Sequence, residues 1–181
     1  MSHVATIEME IKSLEDLKAA CAELGLEFAE GEGSYRWYGE HVGDYPLPEG
    51  FEEHDLGRCD HVIRLTDAMA MQVMEERRVE YLAKFQSANG CEPSADVLAS
   101  VCRRPYEIGV AQRRDGKPGW VLLWDFWQEG FGLQKVIGEN ANRLKQSIAT
   151  AASIRTMRQQ GYKCERKTLP SGAVQLQFVR G

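Results

Sequence analysis

His54, Cys59 and His61 fall within eight positions, and by type they are the residues of this chain best suited to chemistry. Imidazole and thiolate are zinc ligands, and Asp55 or Asp60 could add an oxygen. The spacing matches no established zinc motif, however, and no CxxC or HxxxH pair completes a site. The plainer reading is preferred, in which His61 begins a strand and Cys59 packs, with no metal and no cofactor. Cys59 and His61 could also act as thiolate and base. On a strand, positions i and i+2 point the same way without being aimed at each other, and no orienting acid is specified.

Asp125 is the second candidate. It stands in LLWDFW, between large apolar residues. Burial raises a carboxyl pKa, and active sites use that. The structural alternative is an acid at a strand end that hydrogen-bonds the glycine-rich corner or caps the next helix. Trp124, Phe126 and Trp127 could stack on a base or ring, although such residues more often fill a core. Asp125, Trp127, Cys59 and His61 together make the candidate pocket, and no catalytic residue is assigned.

Charge gives a third candidate. The chain totals −5, yet residues 143–181 carry +7, which leaves −12 for the rest. Arg143, Arg155, Arg158, Lys163, Arg166 and Lys167 would bind an anion or nucleic acid if they shared one exposed face. The preferred alternative is that the basic and acidic parts face each other within one fold, with Glu8, Glu10, Glu27 and Glu30 as candidate partners. Gly130-Phe131-Gly132 before a helix could present amides to an anion, but a corner that needs small residues explains it as well. Met69, Met71 and Met74 form an apolar patch, read as core, with a partner groove as the alternative.

These residues need a scaffold, and the periodicities supply one. Ala5, Ile7, Met9 and Ile11 alternate as a half-buried strand. Ser13 with Asp16 reads as a capping box before a helix bearing Leu14, Leu17, Cys21 and Leu24, closed by Gly25. Strands over Leu26–Glu30 and Ser34–Tyr38 join at Gly31-Glu32-Gly33 as a hairpin. Residues 39–58 are a loop. His61–Leu65 is a strand, and Thr66 caps a helix over 67–88 with Ser94 capping a shorter one. Tyr106–Arg113 and Trp120–Asp125 make a central hairpin, and WVLLW is apolar on both faces, as in a covered sheet. Helical spacing from Leu133 to Met157 is split at Gly138. A last hairpin, Tyr162–Thr168 and Ala173–Val179, turns at Leu-Pro-Ser-Gly.

Strand, helix, glycine, strand, strand thus occurs twice. Two β-α-β-β units predict an α+β fold, a two-layer, mainly antiparallel sheet with helices on one face, plus a helical insert at 66–104. The length fits one domain over residues 1–181. No apolar run approaches the ~20 residues of a membrane span. The opening MSHVATIEMEIKS lacks a secretion signal, so a cytoplasmic protein with five reduced cysteines is expected.

Met-Ser-His, LEDLKAACAELG, CDHVIRL, YEIGV, LLWDFW, the Leu-Lys-Gln of 144–146 and QGYKCERKTLPSGAVQLQF occur in an order that resembles the domain-of-unknown-function 1257 family. Its members occur in bacteria, plastids and phages and include a conserved hypothetical chloroplast reading frame. The resemblance covers most of the chain except 39–58 and 66–104. It implies an α/β domain with no established reaction, encoded near AAA-type ATPases. A non-catalytic interaction or adaptor module with a protein partner is therefore the leading expectation. The alternatives are a nucleic-acid or nucleotide-phosphate binder using 143–181 and a metal- or thiol-dependent enzyme around Cys59, His61 and Asp125.

Overall fold

Alternating apolar residues in five segments produce one antiparallel sheet. Its strands are β1 (Val4–Ile11), β2 (Leu26–Glu30), β3 (His61–Leu65), β4 (Ile108–Gln112) and β5 (Trp120–Asp125), in the order β1-β5-β4-β3-β2. The computed structural model describes residues 4–41, 43, 46, 47, 49–169 and 174–180. The register sets Ile7 opposite Leu122 and Ile63 opposite Ile108, which gathers these side chains on one face. There they meet α1 (Leu14–Leu24), a short α4 (Leu133–Ile137) and α5 (Asn142–Gln159), with Leu17, Leu144 and Ile148 fully buried. The α+β class and the antiparallel sheet are as the sequence predicts, and β5 is covered on both faces: Leu122 and Leu123 are both 0 % exposed.

Helix ends follow local rules. Ser13 caps α1 by accepting the Glu15 amide at 3.2 Å, and Gly25 closes it in the left-handed region. Gly138, at φ 83°, separates α4 from α5. The insert is α2 (Asp67–Asn89) and α3 (Ala95–Val101), capped by Thr66 and Ser94. The two buried residues of α2, Ala70 and Val73, lie in its first half. Gly132 makes that docking close, since a Cβ there would lie 2.2 Å from Val73 Cγ1.

Two expectations are corrected. Residues 34–38 do not pair with β2, which ends the sheet and pairs with β3 alone, through Leu26↔Leu65 to Glu30↔His61, among the described residues. Beyond one bridge, Ser34 to Arg58, the segment instead crosses the face of the sheet opposite the helices. The Tyr35 ring lies on Gly109, where a Cβ would meet it at 2.4 Å. Tyr35, Phe51, Val62, Ala111 and Leu123 make a second, smaller core there.

The other correction concerns the last hairpin. β6 (Tyr162–Thr168) and β7 (Val174–Arg180) do not join the main sheet but pair only with each other among the described residues. A strand reading YKCERKT needs water on one face, and Arg166 finds its acid on α1, which places the hairpin outside the helix layer. The turn predicted at Leu-Pro-Ser-Gly falls outside the described residues from Pro170 onward.

The corner after β5 is left-handed. Gln128, Glu129, Gly130 and Phe131 have φ of 49–61°, and Asn140 and Ala141 repeat the conformation before α5. Each non-glycine residue there costs about 1–2 kcal/mol. Asp125 Oδ1 accepts the Trp127 amide at 3.0 Å, the Tyr106 amide donates to the Gly130 carbonyl at 2.9 Å, and the Phe131 ring sits between Tyr106 and the Arg77 guanidinium.

Candidate functional site

The proposed pocket of Asp125, Trp127, Cys59 and His61 does not assemble. Asp125 and Trp127 are held together, but by the Trp127 amide at the corner. Asp125 is 0 % exposed and accepts a second backbone amide, from Tyr38, at 3.1 Å. Its carboxylate therefore ties the crossing segment 34–38 to the end of β5. Glu107 works alongside it: Glu107 Oε2 accepts the Arg36 amide at 2.8 Å while the Glu107 amide donates back to the Arg36 carbonyl.

Cys59 packs on the second core, and its thiol donates to the Glu32 carbonyl at 3.3 Å. Burial, with Asp60 nearby, pushes this thiol up to about 12, so it stays protonated rather than becoming a nucleophile. His61 lies on the helix side of the sheet, between Phe28 and Trp120 at 5.4 and 5.1 Å. Its Nδ1 accepts the Gly31 amide at 3.1 Å. His54 is exposed beside Glu52 and Asp55. Among the described residues no three His, Cys, Asp or Glu side chains are placed to hold a metal ion. Tyr35 in the second core and Tyr106 at the corner are both pushed up in pKa by burial first, Tyr35 then by Cys59 and Asp125, and Tyr106 then by Asp125, to about 12.

The basic residues separate into three groups. Arg143, at the start of α5, reaches the Lys135 carbonyl. Lys163 and Lys167 are exposed on one face of the β6–β7 hairpin, and Arg166 lies on the other. Arg155, Arg158 and Arg166 do converge. They line a groove of about 820 Å3 between α1, α5 and β6, twice the 410 Å3 of the cleft beside the middle of α2.

This groove is built by small residues. Ala20, Ser147 and Thr150 are buried, which lets α1 and α5 lie side by side. Arg155 forms a two-pronged pair with Asp16, Nε to Oδ1 at 2.8 Å and Nη2 to Oδ2 at 2.9 Å. Asp16 is 4 % exposed, so the sequence expectation that it completes a capping box is replaced by this bond. Arg166 bonds Glu23, and that hydrogen bond, helped by the charge, holds the Glu23 carboxyl below its ordinary value. Glu15 and Arg158 have no ion-pair partner among the described residues. Ala19, Ala151 and Ile154 contribute apolar surface between them.

The acids of α1 were not singled out in the sequence as partners of the basic end. The signal was there: Asp16 and Glu23 are seven apart on one helical face, and Arg155 recurs one turn from Ala151. The three methionines also part company. Met69 packs toward the main core while Met71 is 71 % exposed. Gly130-Phe131-Gly132 is buried and offers no open amide cradle. Among the described residues no helix is long and apolar enough to cross a membrane. Comparison with family models, with curated proteins and with solved structures finds no match to this chain.

Proposed function

We propose that this protein is a non-catalytic interaction module that docks a protein partner in the groove between α1, α5 and β6. The observation that carries this reading is the charge matching there. Asp16 and Glu23 already engage two of the three groove arginines, so apolar Ala19, Ala151 and Ile154 are ringed by a nearly neutral set. Unmatched protein cations bind a polyanion by releasing the counterions condensed on it, and few such cations are on offer here. A protein surface with an apolar anchor and one charge of each sign, to meet Arg158 and Glu15, fits better. The groups with chemical capacity elsewhere support the reading too, because Asp125, Cys59 and His61 are engaged in holding backbone. The family resemblance makes an AAA-type ATPase the first partner to try.

A photo-reactive amino acid at Ile154, with Val79 on the exposed flank of α2 as control, tests the proposal. The expected result is an adduct of one discrete mass with an AAA-type ATPase or another protein at position 154 only, lost on Arg158→Glu. Equal labelling at both positions would sink it. So would tight, steeply salt-dependent binding of labelled single-stranded DNA or RNA that Arg158→Glu abolishes, which would favour the nucleic-acid reading instead.

A further inference from the structure

A two-stranded sheet has two edges, and in this hairpin they are unequal. β6 carries Lys163, Glu165, Arg166 and Lys167, and charge is the usual guard of an exposed edge. β7 reads VQLQFVR, with no charge and no proline before Arg180. Among the described residues nothing pairs with its outer edge. Val174, Leu176 and Phe178 share one face and are only half-buried, while Val179 is 50 % exposed. An isolated pair of strands is marginal in water, and three or more with a common apolar face are stable.

We infer that β7 is the seam of a homodimer, pairing antiparallel with β7 of a second copy. The occupant follows from the order of residues along the edge. A two-fold axis at Leu176 sets Leu176 against itself, Val174 against Phe178 and Gln175 against Gln177. Each of these pairs joins like with like: apolar residues on the helix-facing side, amides on the solvent side. The neutral strand lacks the charges that would select a different, charged partner. The product is a four-stranded sheet, β6-β7-β7-β6, in which both unguarded edges are consumed and both charged edges face outward. A two-fold contact of this kind closes on itself and does not propagate into fibres. The inference does not rest on the groove, and either can fail alone.

Charge placed at Gln175 and Gln177 tests it, since both side chains are exposed and distant from the cores. In the hairpin Gln175 opposes Lys167 and Gln177 opposes Glu165, so two acids or two lysines gain one favourable and one unfavourable neighbour within the monomer. Across the seam, both double variants set like charges opposite each other twice. Sedimentation equilibrium of the full chain is expected to give twice the 20.4 kDa of one chain for the wild type. Gln175→Glu/Gln177→Glu and Gln175→Lys/Gln177→Lys should each sediment as one chain with unchanged circular dichroism. An equimolar mixture of the two should return to the dimer mass. A monomeric wild type, a double variant that stays dimeric, or a mixture that stays monomeric would overturn the proposal.

Discussion

The face of the sheet beneath residues 34–38 and the groove beside α5 are both places where charged side chains meet apolar ones, yet they use charge in opposite ways. On the first, Asp125 and Glu107 are buried and accept backbone amides from Tyr38, Trp127 and Arg36, and the guanidinium that Glu107 also meets, at 3.3 Å, belongs to the same Arg36 whose amide it fixes. In the groove, Asp16 and Glu23 meet arginine side chains at the edge of open space. A carboxylate bonded to backbone amides fixes a chain path and has little freedom to serve another purpose. A carboxylate bonded to a flexible guanidinium can exchange it for a partner's group. Position in the fold, more than residue type, therefore separates the structural acids from the available ones.

The largest expected effect tests the first half of that contrast. Asp125→Ala leaves two amides without their acceptor at a buried corner, and should cost about 3 kcal/mol or more, read as a lower urea midpoint. A loss under about 1 kcal/mol would mean that the 34–38 segment is not held by this residue. Gly109→Ala drives a methyl into the Tyr35 ring and should cost about 1–3 kcal/mol, with near-ultraviolet dichroism of the tyrosine band weakened.

The two regions also differ in the pH at which they fail. Burial raises the Cys59 thiol, beside the second core, from 9.0 to about 12 in the folded chain. Its neutral-state contribution is whole below pH 9 and is lost as pH rises toward 12. Glu23 is shifted the other way, so its contribution is whole above its ordinary 4.5 and declines as pH falls below that value. Melting temperature against pH should fall at both ends, with Cys59→Val easing the alkaline limb and Arg166→Gln flattening the acid one. Exchange of these assignments would break the comparison.

Smaller effects sharpen it. Glu129→Gly relieves a left-handed residue at φ 58° and should stabilise by about 1 kcal/mol in thermal unfolding. Arg158→Glu, at an exposed groove position with no ion-pair partner among the described residues, should change stability by less than about 0.5 kcal/mol while abolishing cross-linking at position 154.

The main sheet and its helices were legible because their signals are local. Alternation marked β1 and β5, serine, threonine and glycine marked helix ends, and Gly138 marked the break between α4 and α5. The two features that escaped are non-local. Residues 34–38 look like a strand, but they are held on the far face of the sheet by Tyr35 on Gly109 and Arg36 on Glu107, partners some seventy residues later. The second hairpin repeats the first unit's pattern, but Lys163, Glu165 and Lys167 keep one face in water. Of the candidate site, the arginines were legible as a cluster in sequence. Their division among three places depended on strand parity and on acids contributed by α1.

Val4 lies opposite Asp125 and Ile7 opposite Leu122, so among the described residues β1 finds its only strand partner more than a hundred residues downstream. Ribosomes add about 5–20 residues per second, so on the order of ten seconds pass between the synthesis of the two strands. Throughout that interval an alternating apolar segment waits with its backbone unpaired, a target for holdase chaperones. Vectorial synthesis therefore makes the first strand of this sheet to be translated one of the last to be secured, and substitutions in β5 should be felt in nascent-chain survival before they are felt in the finished protein.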